Sequence, residues 1–277
     1  MNKNNFLLKL SFLITPVCIS SVLLSQKTVS GLIEAEKAFA KYALDFNTRD
    51  AFVKYFDTAN IALNEGKALN GYQAWVKRKK RSSKLLWQPE FAAIASSGEY
   101  GVTTGPYEFK ASLNDTALDR GHFTSIWFFN SDGEWKNLLD HGSGYSHSYP
   151  AVSNIKSVSL QKSKSKKNSG QSMEMSELNF IKQYETEGKK AYNKIVSKHI
   201  WFNTNGYQPV SGFDKLNKAL EVIDNGIHFA PIGFKTSKSK DFGFVYGTIT
   251  RNEKTANYVR VWIKENGSWK LLLQVLD

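Results

Sequence analysis

The residues best suited to chemistry in this 277-residue chain sit together at Asp140-His141-Gly142, an acid, a titratable ring and a flexible residue closing an apolar segment. A carboxylate surrounded by apolar groups has a raised pKa and suits proton transfer, which makes Asp140 the first candidate for acid/base work. The plainer alternative is that Asp140 hydrogen-bonds the chain beside Gly142. Tyr107 follows the Gly105-Pro106 bend and is the second candidate. The five histidines (His122, His141, His147, His199 and His228) form no i, i+4 pair, and no cysteine accompanies them, so no metal is expected. No Ser-His-Asp order, phosphate loop or dinucleotide fingerprint is present, and no cofactor is expected.

Asp140 ends the second strand of a hairpin that occurs twice. Residues 126–142 read IWFFNSDGEWKNLLDHG and residues 261–276 read VWIKENGSWKLLLQVL. Asp132-Gly133 and Asn266-Gly267 supply the positive φ of tight β-turns between apolar segments. Spacing upstream repeats as well: Pro89 and Gly101 are twelve apart, as are Pro231 and Gly243. A tandem duplication follows, with domains expected at 31–150 and 176–277 and a Lys/Ser-rich linker at 151–175. Strand alternation places Phe123, Ser125 and Trp127 on one face, and Tyr258, Arg260 and Trp262 on the matching face of the second copy. A face offering Tyr, Arg and Trp suits an anionic or aromatic ligand; the competing reading is core or dimer packing. Asp140 and His141 become Gln274 and Val275 in the second copy, so any chemistry is expected in the first, with the wetter and more open cavity.

Helical spacing from Ser30 through Leu32, Ala35, Phe39, Ala43 and Phe46 predicts a first helix, with Glu34 and Glu36 near its positive end. A short helix over Phe52 to Phe56, a brief strand 61–63 and a third helix after Gly71 follow. The basic run 77–81 reads as the wet end of that helix. Segments 85–96, 100–110, 122–130 and 135–142 read as strands, an α+β plan. In the second copy Met175 and Phe180 occupy the positions of a hydrophobic staple.

Net charge is +12, but the first repeat balances 14 basic against 14 acidic groups, which argues against a nucleic-acid partner. Lys3 and Lys9 precede fifteen uncharged residues, 10–24. At ~1.5 Å per residue these span about 22 Å, short of the ~30 Å hydrocarbon core. An export signal over 1–25 is therefore expected, with no stable membrane insertion and a periplasmic or secreted location in a bacterium. Cys18, the single cysteine, lies inside it.

The segments AFVKYFDTANIALNEGKALNGYQAW, GEYGVTTGPYEF and SIWFFNSDGEWKNLLDHG, in that order, resemble the nuclear transport factor 2-like superfamily, in its SnoaL and ketosteroid isomerase-like branch. The resemblance implies two cones, each a curved antiparallel sheet wrapped around a long first helix with a pocket between. It also implies a role for Asp57, which lies where some isomerase relatives place their base; the local alternative is an acid ending a helix in solvent. Trp87 and Tyr107 would face the pocket mouth, and Trp127, His141, Tyr258, Arg260 and Trp262 are the further ligand candidates. Relatives commonly dimerise through the sheet, so the repeats are expected to pair as a pseudo-dimer. Three functions stay open: a non-catalytic binder of a small organic ligand, an acid/base isomerase or dehydratase using Asp140 and Tyr107, and a structural pair with filled cones.

Overall fold

The computed structural model describes residues 26–161 and 170–277. The expected export segment, with Cys18, and residues 162–169 of the expected linker lie outside the described residues. The protein is α+β, with two separate curved sheets and few helices.

Helix α1 (Val29–Asp45) begins two residues earlier than the spacing suggests, because Thr28 accepts the Gly31 amide in its side chain and caps it. Helix α2 (Thr48–Tyr55) is capped by Asn47 and leads directly into β1 (Phe56–Asn64), which pairs with β2 (Lys67–Asn70). Helix α3 (Gly71–Lys77) is capped by Asn70. The long strand expected over 85–96 is split into β3 (Lys84–Trp87) and β4 (Phe91–Ile94) around Gln88-Pro89, since proline cannot donate to a ladder. Both halves pair with β5 (Tyr100–Lys110), which pairs with β6 (Asp119–Phe129), and that with β7 (Trp135–Gly144). A parallel β1–β7 ladder completes the concave surface. Helix α1 lies across it, burying Leu32, Glu36, Phe39 and Ala43.

The expected linker contributes a strand of its own. Residues Lys156–Ser159 form β8, parallel to the exposed edge of β4, with Val158 and Leu160 turned toward apolar neighbours.

The second half repeats the plan with shorter helices. Helix α4 (Met173–Glu187) is capped by Ser172, so Met173 is buried while Met175 and Leu178 are exposed, and the expected staple does not form. A 3-10 turn (Gly188–Lys194) stands where α2 stood, and α5 (Leu216–Glu221) where α3 stood. Strands β9 (Val196–Thr204), β10 (Val210–Ser211), β11 (His228–Thr236), β12 (Phe242–Arg251), β13 (Lys254–Glu265) and β14 (Ser268–Leu276) make a six-stranded sheet ordered β10-β9-β14-β13-β12-β11. The β13–β14 turn uses Asn266 and Gly267 at φ 51° and 82°, the geometry expected of Asn-Gly.

The sheets touch through their convex faces. Phe91, Val102, Ile126 and Leu139 of the first share one apolar cluster with Trp201, Phe242, Phe244, Val261 and Leu273 of the second. Asn203 Nδ2 crosses the junction to donate to Thr104 Oγ1 at 3.0 Å and Thr124 Oγ1 at 3.1 Å. At one end the Gly206 amide donates to the Gly144 carbonyl at 2.7 Å. Phe244 is fully buried in this cluster. Phe244→Ala should cost about 3–5 kcal/mol in urea unfolding of the whole chain; a loss below ~1 kcal/mol would show that the sheets do not depend on a common core.

Candidate functional site

In both copies the concave side is organised around a buried carboxylate on the first helix. Glu36 has no exposed surface, yet three neutral donors reach it: Trp87 Nε1 at 2.6 Å, Thr103 Oγ1 at 2.6 Å and Trp127 Nε1 at 2.8 Å. Phe39, one turn on, packs edge-on to Trp87 at 4.8 Å and Trp127 at 6.0 Å. Burial pushes the Glu36 carboxyl up to about 7, against the lowering effect of its donors, and the charge of Asp140 adds to the rise.

Asp140 lies on the same face, half-buried. Its Oδ2 accepts from Ser125 Oγ at 2.8 Å and from Asn137 Nδ2 at 3.2 Å. Residues 137 and 140 would point to opposite faces of a regular strand. The register shift between Ile126 and Trp127 leaves Leu138 unpaired and turns both inward. Burial raises the Asp140 carboxyl to about 6, against its two hydrogen bonds and the nearby His141.

Tyr107 packs its ring across Gly121 and Gly142: a Cβ on Gly121 would come within 2.5 Å of that ring and one on Gly142 within 3.3 Å. Its hydroxyl donates to Asp119 at 3.1 Å, and burial raises it well above the ordinary tyrosine value. Tyr107 forms one wall of a cleft of about 870 Å³, completed by Leu85, Phe109, Trp75 and the basic residues Arg49 and Arg78–Arg81. The run 77–81 is exposed at the end of α3, as expected of a wet helix end, and four of its residues also rim this cleft.

The structure separates the neighbours Asp140 and His141 across the sheet. His141 faces the second copy, with Nε2 3.1 Å from Asp277 Oδ1, so it does not line the concave side with Asp140. Asp57 likewise stays apart from the Glu36 group; its Oδ1 accepts the Ala59 amide at 2.8 Å in a local turn at the start of β1. Trp87 and Trp127 both donate to Glu36, and Trp87 also lines a cleft of about 340 Å³ with Tyr107. Among the described residues no group of three or more His, Cys, Asp or Glu is placed to hold a metal ion, and no helix is long and apolar enough to cross a membrane.

The second copy repeats the arrangement with a cation inside it. Glu177, fully buried, accepts from Arg260 Nη1 at 2.6 Å, Trp262 Nε1 at 2.8 Å and Tyr258 Oη at 3.1 Å. Arg260 Nε and Tyr192 Oη both donate to Gln274 Oε1 at 2.7 Å. The guanidinium also lies 3.9 Å from the Phe229 ring centre and 4.5 Å from that of Phe180. Tyr258, Arg260 and Trp262 therefore do not offer an open ligand face, because they occupy the interior themselves. The nearby cleft at Tyr207 and Ile227 measures only about 170 Å³.

Glu36 and Glu177 were missed as site residues, although a signal was available: both first helices carry Glu-x-x-Phe-x-Lys, at 36–41 and 177–182. A charged residue recurring at a core register in two copies marks a buried partner rather than a favourable helix start.

No family profile matches this chain, and no curated protein matches it by sequence. Solved structures similar to it include a nuclear transport factor 2-like protein of unknown function from Shewanella oneidensis, 21% identical, covering 40% of this chain and 95% of its own at a TM-score of 0.33. Another of the same description, from Cytophaga hutchinsonii, is 17% identical over 38% of this chain and 88% of its own, TM-score 0.30. A ketosteroid isomerase-like protein from Erwinia carotovora is 15% identical over 37% of this chain and 90% of its own, TM-score 0.29.

The two raised carboxyls give a pH dependence of defined sign. Their folded-state pKa values exceed the unfolded ones, so the stability they contribute is complete at low pH. It is lost as pH rises through about 6 for Asp140 and about 7 for Glu36. The stability of wild type relative to Glu36→Gln, from urea midpoints, should fall between pH 4.5 and about 7. A difference that stays flat over that interval would mean that the Glu36 carboxyl titrates normally.

Proposed function

We propose that this chain is an exported small-molecule-binding protein built from two nuclear transport factor 2-like cones, in which the first carries the site and the second is a filled structural partner. The observation that carries this reading is the asymmetry of the concave sides: an 870 Å³ cleft with aromatic walls in the first, and an Arg260–Glu177–Gln274 plug in the second. Ligand sites are commonly apolar clefts of ~300–1,000 Å³ with a few polar groups. The convex-face junction fits an intramolecular pseudo-dimer, and the uncharged run 10–24 behind Lys3 and Lys9 supports export to the periplasm or medium. Titration with naphthalene-sized ligands, followed by intrinsic tryptophan fluorescence, should saturate at one molecule per chain. Phe109→Ala should weaken that binding at least about tenfold, as expected when a contacting ring is lost. Tyr207→Ala in the second half should leave it unchanged. Two equivalent sites, or none, would remove the proposal.

Acid/base catalysis is the second reading, favoured by Asp140 and Glu36, whose burial brings two carboxyls toward neutrality behind Tyr107. It requires wild type to accelerate deuterium uptake at the acidic C–H of a bound aryl ketone such as 2-acetonaphthone, and Asp140→Asn to abolish that acceleration. Exchange by the wild type at the solvent rate would eliminate the reading.

A further inference from the structure

The charges around the first cleft identify the kind of molecule it takes, given that it takes a small molecule at all. The first repeat as a whole is electrically balanced, so a surplus at one place in it is local. At the cleft, Asp50 is shared by Arg49, with Nη1–Oδ1 at 2.9 Å, and Lys80, with Nζ–Oδ2 at 2.7 Å. Those bonds and Asn47 hold the Asp50 carboxyl well below its ordinary range, so it stays ionised and occupies both cations. Asp119, the acid of the lining itself, accepts from Tyr107 rather than from a cation. Arg78 lies on the Trp75 ring at 4.1 Å, and that ring is stacked on Phe52 at 4.0 Å, which fixes a guanidinium at the rim without neutralising it. Lys79 and Arg81 have no ion-pair partner among the described residues.

Three cations thus stand without an ion-pair partner, against the single carboxylate of Asp119, beside an apolar wall of Leu85, Tyr107 and Phe109. A solvated helix end would account for one or two of them, since cations are favoured near a helix C-terminus. It does not account for a run that continues past the last turn and borders a cleft walled by rings. Positive residues lining a low-dielectric cleft focus field into it and raise the local concentration of anions. Arginine fits a planar carboxylate or a phosphate bidentately, and the neighbouring lysine adds a point charge.

We propose that the cleft of the first repeat binds an aromatic organic anion, its ring system against Tyr107, Phe109 and Leu85 and its carboxylate, sulfonate or phosphate against Arg78, Lys79 and Arg81. This rests on the small-molecule reading above. Neutral ligands would keep the ring contacts and lose the charge contacts; a free inorganic anion would do the reverse.

The test compares 2-naphthoate with the isosteric 2-naphthamide, the cation 2-naphthylmethylammonium and inorganic phosphate, by calorimetry on the full chain at low and high salt. 2-Naphthoate should bind about tenfold or more tightly than the amide, with the margin shrinking at high salt. The ammonium compound should bind more weakly than either. The double variant Lys79→Ala/Arg81→Ala touches only exposed side chains, and it should remove most of the advantage by weakening 2-naphthoate far more than the amide. Equal binding of amide and naphthoate overturns the inference and leaves the small-molecule reading intact, as does a margin that survives the double variant. Phosphate binding as tightly as naphthoate overturns the aromatic half. If none of the ring compounds binds, both the inference and the small-molecule reading fall.

Discussion

Each half of the molecule depends on a carboxylate buried beneath its first helix. An ionised acid moved out of water costs several kcal/mol unless hydrogen bonds or an opposite charge replace its hydration. Glu36 and Glu177 have no exposed surface, and each accepts an indole N–H from the first hairpin tryptophan at 2.8 Å. That bond ties the helix to β6 in the first half and to β13 in the second, and sets how deeply the helix sits in the concavity. The hairpins repeat so closely because they must deliver a tryptophan N–H to that one point. The shared register shifts, Ile126/Trp127 and Val261/Trp262, fall at the same place for the same reason.

Both copies satisfy the buried acid with donors, by different means, and the difference decides what else each can do. In the second, Arg260 supplies a full charge and its long side chain fills the interior, stacked among Phe180, Phe229 and Tyr258. Removing one member of such a pair typically costs 3–5 kcal/mol, so this interior is committed to holding itself together. In the first, the register-equivalent residue is Ser125, paired with Asp140 as Arg260 is paired with Gln274. Short neutral donors surround Glu36 instead. Without a cation its carboxyl rises to about 7, and a second acid is tolerated nearby with its own pKa raised to about 6.

Much of this was legible in the sequence. The two Gly-containing hairpins, the antiparallel pairing of successive strands and the shared face of Phe123, Ser125 and Trp127 follow from period-two alternation and turn chemistry, which are local. What lay hidden depends on contacts distant along the chain. Glu36 looked like a favourable helix start because helix-end electrostatics are local, while its donors Trp87, Thr103 and Trp127 lie 51, 67 and 91 residues away. Alternation predicts that Asp140 and His141 point oppositely, but not that the convex side is covered by a second sheet, which turns His141 into a junction residue. Residues 156–159 looked like linker because a parallel edge strand needs no turn signal beside it. The basic run was equally opaque: Arg78 gains its meaning from Trp75, which in turn stands on Phe52.

Covering the convex faces with each other also determines where anything else can bind. A curved sheet has two surfaces, and here the outer ones are consumed by Val102, Ile126 and Leu139 against Phe244, Val261 and Leu273. The concave side of the second half is consumed by Arg260. On the concave side of the first, the deep end is closed by the Phe39, Trp87 and Trp127 cluster over Glu36. One opening, of about 870 Å³, lies between α3 and β5, where Tyr107 stands on Gly121 and Gly142 and the unpaired cations begin. From that rim inward the layers run from cationic side chains to the ring of Tyr107 and then to the buried acid Asp140, whose charge helps raise the Tyr107 hydroxyl.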